Sequence, residues 1–297
     1  MTLAVLVPAF KLGLFLATIV LIAYIAACVF LLLRQNRFIF MPSPFVDRTP
    51  EDLGLSYEEV WIPVPKTFNT QKLHGWWIPV ANPKGVVLHL HGNGFNIGAN
   101  LDQTRRFHKL GYSVLLADYR GYGRSQGPFP NEKRVYEDAE AIWQYLVQML
   151  GASPAEIVLY GHSLGGAIAI DLAAKHPEAA GLIVQSSFTR MQSVVERVWH
   201  LWMFPVSLLL TQHFKSIEKV RSLQMPVLFT HGTLDQVVPP EMSPALYAAA
   251  PHPKELLMVE GADHNNVGEV GGETYLQVLQ RFLASTRPAV MSSSALR

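Results

Sequence analysis

One stretch limits the folds open to this chain more than any other: Val158-Leu159-Tyr160-Gly161-His162-Ser163-Leu164-Gly165-Gly166. Ile157 to Tyr160 is a short apolar, partly β-branched run of the kind a buried strand needs. Leu164 to Lys175 is a helical run rich in small residues, closed by His176-Pro177. Between them stands G-x-S-x-G with Ser163 at its centre. A serine on so sharp a strand-to-helix turn takes a strained backbone, and a side chain at either flanking glycine would strike the neighbouring strand or helix. The turn lifts the hydroxyl clear and sets it at the positive end of a helix, where a developing oxyanion is stabilised. Ser163 is the candidate nucleophile.

The rest of the chain supplies a matching scaffold. Tyr57 to Val64 and Leu73 to Val80 read as an antiparallel pair with a turn over Pro65 to Thr70. Strands follow at Gly85 to Leu90, Tyr112 to Ala117, Gly181 to Gln185, Pro226 to Thr230 and Glu255 to Val259. Helices are read at Ile97 to Leu110, Asn131 to Leu150, Glu241 to Ala249 and Gly272 to Ala284. Strands alternating with helices predict an α/β fold, a mostly parallel sheet covered on both faces. Functional loops in such sheets lie at the carboxyl ends of the strands. Four loops qualify: His91 to Gly94, Gly161 to Gly165, His231 to Asp235, and Asp263-His264.

A serine needs a base, and the base needs a carboxylate to orient it. Of eleven histidines, His264 follows the last strand, where the chain can return to the turn at Ser163. Asp235 follows the preceding strand, giving the order Ser, Asp, His. Asp263 is the rival carboxylate, but adjacent residues diverge in direction, so it is read as shaping its loop. The oxyanion donors are expected to be the backbone N–H groups of Leu164 and Asn93, with Gly92 and Gly94 admitting the backbone close to substrate. His91 is read as shaping that loop, and Asp118 with Arg120 as structural hydrogen-bonding residues. His89 and His91 lack a third partner, so no metal is expected. Gly121, Gly123 and Gly127 are not followed by the Lys-Ser/Thr of a phosphate loop. His162 is read as a variable slot.

From Leu12 to Leu33 no residue is charged, a run long enough as a helix to cross a hydrocarbon core of about 30 Å. A core helix seldom runs this far without a polar face, so residues 1–33 are read as a single transmembrane helix. Ile25-Ala26-Ala27-Cys28 resembles a lipoprotein processing box, but Val29 to Leu33 continue the apolar run. Lys11 precedes the segment and Arg34, Arg37 and Arg48 follow it, an excess that favours a cytoplasmic catalytic domain. Residues 34–55 read as a juxtamembrane connector with Pro42, Pro44 and Pro50, in which Phe38 to Met41 suit the membrane interface. Residues 56–285 form the α/β domain, and 286–297 a Ser-rich, disordered tail. The net charge of +1 points to no nucleic-acid partner.

His91-Gly92-Asn93, Asp118-Tyr119-Arg120-Gly121-Tyr122-Gly123, Gly161-His162-Ser163-Leu164-Gly165-Gly166, Asp235-Gln236-Val237-Val238-Pro239-Pro240 and Asp263-His264-Asn265 together resemble the alpha/beta-hydrolase family. Within it, the chain resembles membrane-anchored serine hydrolases with one N-terminal membrane helix, among them the small eukaryotic alpha/beta-hydrolase-domain proteins and their bacterial relatives. The resemblance implies a cofactor-independent carboxylesterase, lipase or thioesterase, with Ser163, Asp235 and His264 as triad and Asn93 with Leu164 as oxyanion donors. An aminopeptidase of the same fold would need an acidic cluster to hold an ammonium, and the sequence offers none. A non-enzymatic interaction protein would be expected to have lost a triad member.

Residues 187–224 fall where this fold inserts a cap. The stretch is too apolar for an exposed loop. Trp199, Trp202, Met203 and Phe204 are therefore read as lining an acyl pocket or its membrane-facing rim, with lipid-like acyl esters as substrate and the bilayer as partner.

Overall fold

The computed structural model describes residues 3–65, 70–198 and 200–287. Four positions of the expected turn, 66–69, lie outside the described residues, as does the tail from 288.

Helix α1 runs from Leu3 to Ile39 and contains the charge-free run. Its stretch Phe10–Ile39 has a mean hydropathy of 2.9 and is long and apolar enough to cross a membrane. The helix does not stop at the arginines. Gln35 to Ile39, expected as irregular connector, is helical, and Gln35 and Ile39 face the rest of the protein from one side. The cause is tertiary. Gln35 donates to the Leu209 carbonyl at 3.1 Å and accepts from the Thr211 N–H at 2.8 Å. Arg37 lies over the Phe129 ring at 4.1 Å, and Phe40 packs on Phe214. No proline lies between Arg34 and Pro42.

A two-residue strand β1 (Met41–Pro42) follows directly. The main sheet is built from β2 (Glu58–Pro63), β3 (Lys72–Ile78) and β4 (Val86–Leu90). Beyond the short β5 (Gly94–Phe95), which pairs with β1, it continues with β6 (Ser113–Ala117), β7 (Ile157–His162), β8 (Gly181–Gln185), β9 (Val227–Gly232) and β10 (Lys254–Val259). Its eight strands take the order β10-β9-β8-β7-β4-β6-β3-β2. β2 pairs antiparallel with β3, and β3 with β6; every other pair is parallel.

The parallel strands are apolar throughout because helices cover both faces. Alternate residues feed two cores. Leu159 and Val184 point to the face covered by α3 (Glu132–Gln148) and α4 (Leu164–Lys175). Val158 and Ile183 point to the face covered by α2 (Leu101–Lys109) and the C-terminal helix Gly272–Ser285. Residues 187–224 are less irregular than the sequence suggests. They carry α5 (Met191–Val198), a 3₁₀ turn Leu201–Met203, α6 (Val206–Leu209) and α7 (Ser216–Lys219).

Candidate active site

The turn between β7 and α4 is as tight as its glycines imply. Ser163 sits at φ 55°, ψ −119°, a conformation that L-residues avoid. Its N–H donates to the Gln185 carbonyl at 2.9 Å, and its own carbonyl accepts from the Ser187 hydroxyl at 2.8 Å. A Cβ at position 161 would lie 2.2 Å from the Gly165 carbonyl oxygen, and one at 165 would lie 2.1 Å from that of Leu90. Neither backbone can swing aside as a side chain can. Gly165→Ala is expected to cost at least about 3 kcal/mol of stability, as overpacking against fixed atoms does. Thermal melting in detergent checks this; an unchanged midpoint would refute it.

Ser163, Asp235 and His264 arrive from three loops and meet. His264 Nε2 lies 2.9 Å from Ser163 Oγ, and His264 Nδ1 lies 2.7 Å from Asp235 Oδ2. With its Nδ1–H on the carboxylate, the ring offers its Nε2 lone pair to the hydroxyl. Asp235 Oδ1 accepts the N–H groups of Val237 and Val238, each at 2.8 Å. Burial alone would raise this carboxyl, but donation from His231 and His264 outweighs it and holds Asp235 well below the usual carboxylate range.

His231 is a residue that sequence reading passed over. Its ring is buried at the end of β9, with Nε2 3.0 Å from Asp235 Oδ2 and 3.1 Å from the Val238 carbonyl. Both neighbours are acceptors, so Nε2 carries the proton, while Nδ1 meets the Ser243 hydroxyl at 2.7 Å. The signal available was its place at a strand's carboxyl end, four residues before Asp235.

Asp263 does as expected within its loop. It accepts from the N–H groups of Asn265 and Asn266 at 2.8 and 3.0 Å. His162, read as a variable slot, lies with its Nε2 2.9 Å from the His264 carbonyl. Burial, and then the neighbouring His264, push His162 down to about 4, so its neutral ring donates to that carbonyl and holds the loop of His264.

Leu164 is the first residue of α4, where backbone N–H groups have no partner within the helix. Asn93 lines the same cavity as Leu164, its side chain turned to the Met41 N–H and the Tyr122 hydroxyl at 3.0 and 3.2 Å. A Cβ on Gly92 would lie 3.5 Å from that of Ser163, so this loop comes close to Ser163. His91 donates from Nδ1 to the Gly92 carbonyl at 2.8 Å, and its Nε2 lies 3.4 Å from Asp118. Burial pushes His91 down to about 4 and raises the Asp118 carboxyl well above the usual carboxylate range. Asp118 also accepts the Ile97 N–H at 2.9 Å, and Arg120 donates to Asp138 at 2.6 Å. His89 pairs with the Thr104 hydroxyl at 2.9 Å.

Ser163 and His264 open into a cavity of about 540 Å³. Its apolar wall is Phe38, Ile39, Met41, Phe188, Met191 and Val194, and its polar side includes Asn100, Asp102, Gln103 and Arg106. Of the residues read as an acyl pocket or its membrane-facing rim, those described are not among the lining of this cavity. Trp202 and Met203 are 73% and 64% exposed and do not line the cavity. Phe204 stacks on Tyr24 of α1 at 5.5 Å. Trp199 lies outside the described residues. The cap divides at α5: Met191 and Val194 face the cavity, whereas Val195 faces α1. The place expected for the cap aromatics is taken by the end of α1, because that helix runs into the core.

The sequence and fold have known counterparts. Residues 81–217 match the family model described as serine aminopeptidase, S33. An uncharacterized protein of Mycobacterium tuberculosis is 34% identical over 275 residues, covering 91% of this chain and 95% of the relative. Alpha/beta hydrolase domain-containing protein 17B of Homo sapiens is 34% identical over 209 residues, covering 68% of this chain and 67% of the relative. Among solved structures, the esterase Pf2001 of Pyrococcus furiosus superposes with a TM-score of 0.70 at 22% identity, covering 84% of this chain and 98% of that one. A puromycin-hydrolyzing peptidase of Mycobacterium tuberculosis gives 0.64 at 20% identity, covering 78% of this chain and 39% of that one. At these identities the two structures share the fold and carry no further inference.

Proposed function

The chain belongs to the alpha/beta-hydrolase superfamily, and from that premise we propose that it is a membrane-anchored serine hydrolase of carboxylic esters or thioesters with lipid-like acyl groups. The carrying observation is the run of short contacts from Ser163 through His264 to Asp235 at the base of an apolar-walled cavity. Ser163 Oγ attacks the acyl carbon while His264 Nε2 takes its proton. Asp235 stabilises the imidazolium, and the Leu164 and Asn93 N–H groups receive the oxyanion. His264 returns the proton to the leaving group, then activates the water that hydrolyses the acyl-enzyme. No metal or organic cofactor enters these steps.

An aminopeptidase is the second reading, suggested by the name of the matching family. Such an enzyme must hold a substrate ammonium, for which this cavity is ill supplied. Among its lining residues the acidic one is Asp102, already paired with Arg48 and Arg105 and accompanied by Arg106. A terminal ammonium meets more positive than negative charge there.

Anchoring by α1, rather than its removal as a signal, is supported by its last turns. Gln35 and Ile39 are buried, and Phe38 and Ile39 form part of the cavity wall. Cleavage in the apolar run would leave those turns without the helix that positions them. The basic excess after the span favours a cytoplasmic catalytic domain.

Fluorophosphonate labelling with mass-spectrometric site assignment, followed by a p-nitrophenyl acyl series, tests the reading. Label is expected on Ser163. kcat/KM is expected to rise from acetate by up to about four-fold per methylene, the equivalent of about 0.8 kcal/mol, until the cavity is full. Met191→Ala is expected to flatten that rise more than it lowers acetate turnover. A profile peaking at acetate and unaltered in the variant would overturn the acyl assignment.

A further inference from the structure

The cap and α1 are joined well inside the span. The Tyr24 hydroxyl donates to the Met203 carbonyl at 3.0 Å, and the Tyr24 ring stacks on Phe204 with 2° between planes. Further along, Gln35 takes the Thr211 N–H and gives to the Leu209 carbonyl. The cap therefore runs beside α1 from Tyr24 to Gln35. Arg34 marks the end of the charge-free run. At 1.5 Å per residue, Tyr24 lies about 15 Å deeper along the axis, close to the middle of a hydrocarbon core of about 30 Å.

The chemistry of residues 201–210 suits that depth. They read Leu-Trp-Met-Phe-Pro-Val-Ser-Leu-Leu-Leu, without a charge. Trp202, Met203 and Leu208 are 73%, 64% and 81% exposed, far more apolar surface than so short a segment leaves in water. Irregular backbone survives within lipid only when its polar groups find protein partners. Here the carbonyls of Met203 and Leu209 and the N–H of Thr211 find them in Tyr24 and Gln35, two of the few polar side chains between Leu12 and Asn36. A narrow cavity of about 40 Å³ between Leu31, Val195, Phe204 and Leu209 shares Phe38 and Ile39 with the site cavity.

We propose that residues 201–210 are immersed in the acyl chains of the leaflet beside α1, so that cap and helix form one lipid-embedded unit. The proposal rests on the reading of α1 as a membrane span. It makes Trp202, Met203 and Leu208 contacts for lipid rather than for substrate, and it brings the apolar wall of the site cavity to the edge of the leaflet.

The test uses the full chain in phosphatidylcholine vesicles. Cys28→Ser provides a background without thiols, and single cysteines are introduced by Leu208→Cys, Trp202→Cys, Val29→Cys and Met149→Cys. Each is labelled with a nitrobenzoxadiazole fluorophore and exposed to spin-labelled lipids that quench at shallow or deep positions. Turnover of a short soluble ester by each labelled protein verifies folding. The Leu208 and Trp202 probes are expected to be blue-shifted and quenched as strongly as the Val29 probe on α1, with Trp202 favouring the deeper quencher. The Met149 probe should remain solvated. A quenched Val29 probe with solvated probes at both cap positions would overturn the proposal while leaving α1 in the membrane. A solvated Val29 probe would instead overturn the span itself, and the proposal with it. Should Trp202→Cys fail to fold, Leu208→Cys alone decides.

Discussion

Ser163→Ala is expected to lower ester hydrolysis by 10⁴- to 10⁶-fold, on the order of what loss of a serine nucleophile costs other triad hydrolases. The protein should still fold. The substitution removes one oxygen, whose partner is His264 Nε2, while the backbone bonds to Gln185 and Ser187 that hold the turn remain. The strain at φ 55° is shared by serine and alanine, so it does not change in the variant. Ser163→Gly should relieve it, leaving a protein at least as stable and equally inactive. Steady-state rates with a p-nitrophenyl ester, read beside thermal melting, check both. Activity above about one per cent of the parent, with the same fold, would move the nucleophile elsewhere.

Asp235→Asn should cost on the order of 10⁴-fold in kcat, and Asp263→Asn far less. The geometry says why the amide fails. The N–H groups of Val237 and Val238 hold an oxygen at the Oδ1 position, which forces the new NH₂ into the place of Oδ2. There it faces His264 Nδ1 and the Nε2–H of His231. His264 must then accept at Nδ1, its proton moves to Nε2, and the lone pair that should receive the Ser163 proton is gone. The His231 donor meets a second donor, which adds a stability cost. Thermal melting of the two variants separates this loss from simple unfolding. In the parent, the depressed carboxyl of Asp235 stabilises the fold above its unfolded pKa of about 3.9, and that contribution fades as pH falls through the lower native value. Equal losses in the two variants would reverse the assignment of the carboxylate.

The parts of this site that could be read in the sequence are those whose cause is local. The turn at Ser163 announces itself because its neighbours must lack side chains, and the close approaches at Gly161 and Gly165 are that requirement in three dimensions. The parallel strands show as unbroken apolar runs because both their faces are covered. Asp235 and His264 follow from strand order. What sequence could not show is which surfaces meet across long separations. Phe38 and Ile39 look like interfacial residues until α1 is seen to end in the cavity wall. The cap aromatics look like pocket residues because apolar character says that a side chain avoids water, not which apolar neighbour it finds. His231 was hidden for a third reason. A buried histidine carries no sequence mark that separates packing from hydrogen bonding to a carboxylate.

The junction between α1 and the core has a mechanical consequence. Ile39 and Phe40 are 3% and 1% exposed, and neither glycine nor proline lies between Leu14 and Met41. The helix is thus a stiff shaft fixed to its load, not a leash. On the proposed reading of α1 as a span, the charge-free run Leu12 to Leu33 measures about 33 Å along its axis, close to a bilayer core of about 30 Å. A span of that length would take a lean that local bilayer thickness helps to set. With neither glycine nor proline at its base, the lean would carry the α/β body with it and turn the mouth above Ser163. Lipid length and sterol content would then orient the cavity without any molecule bound to it.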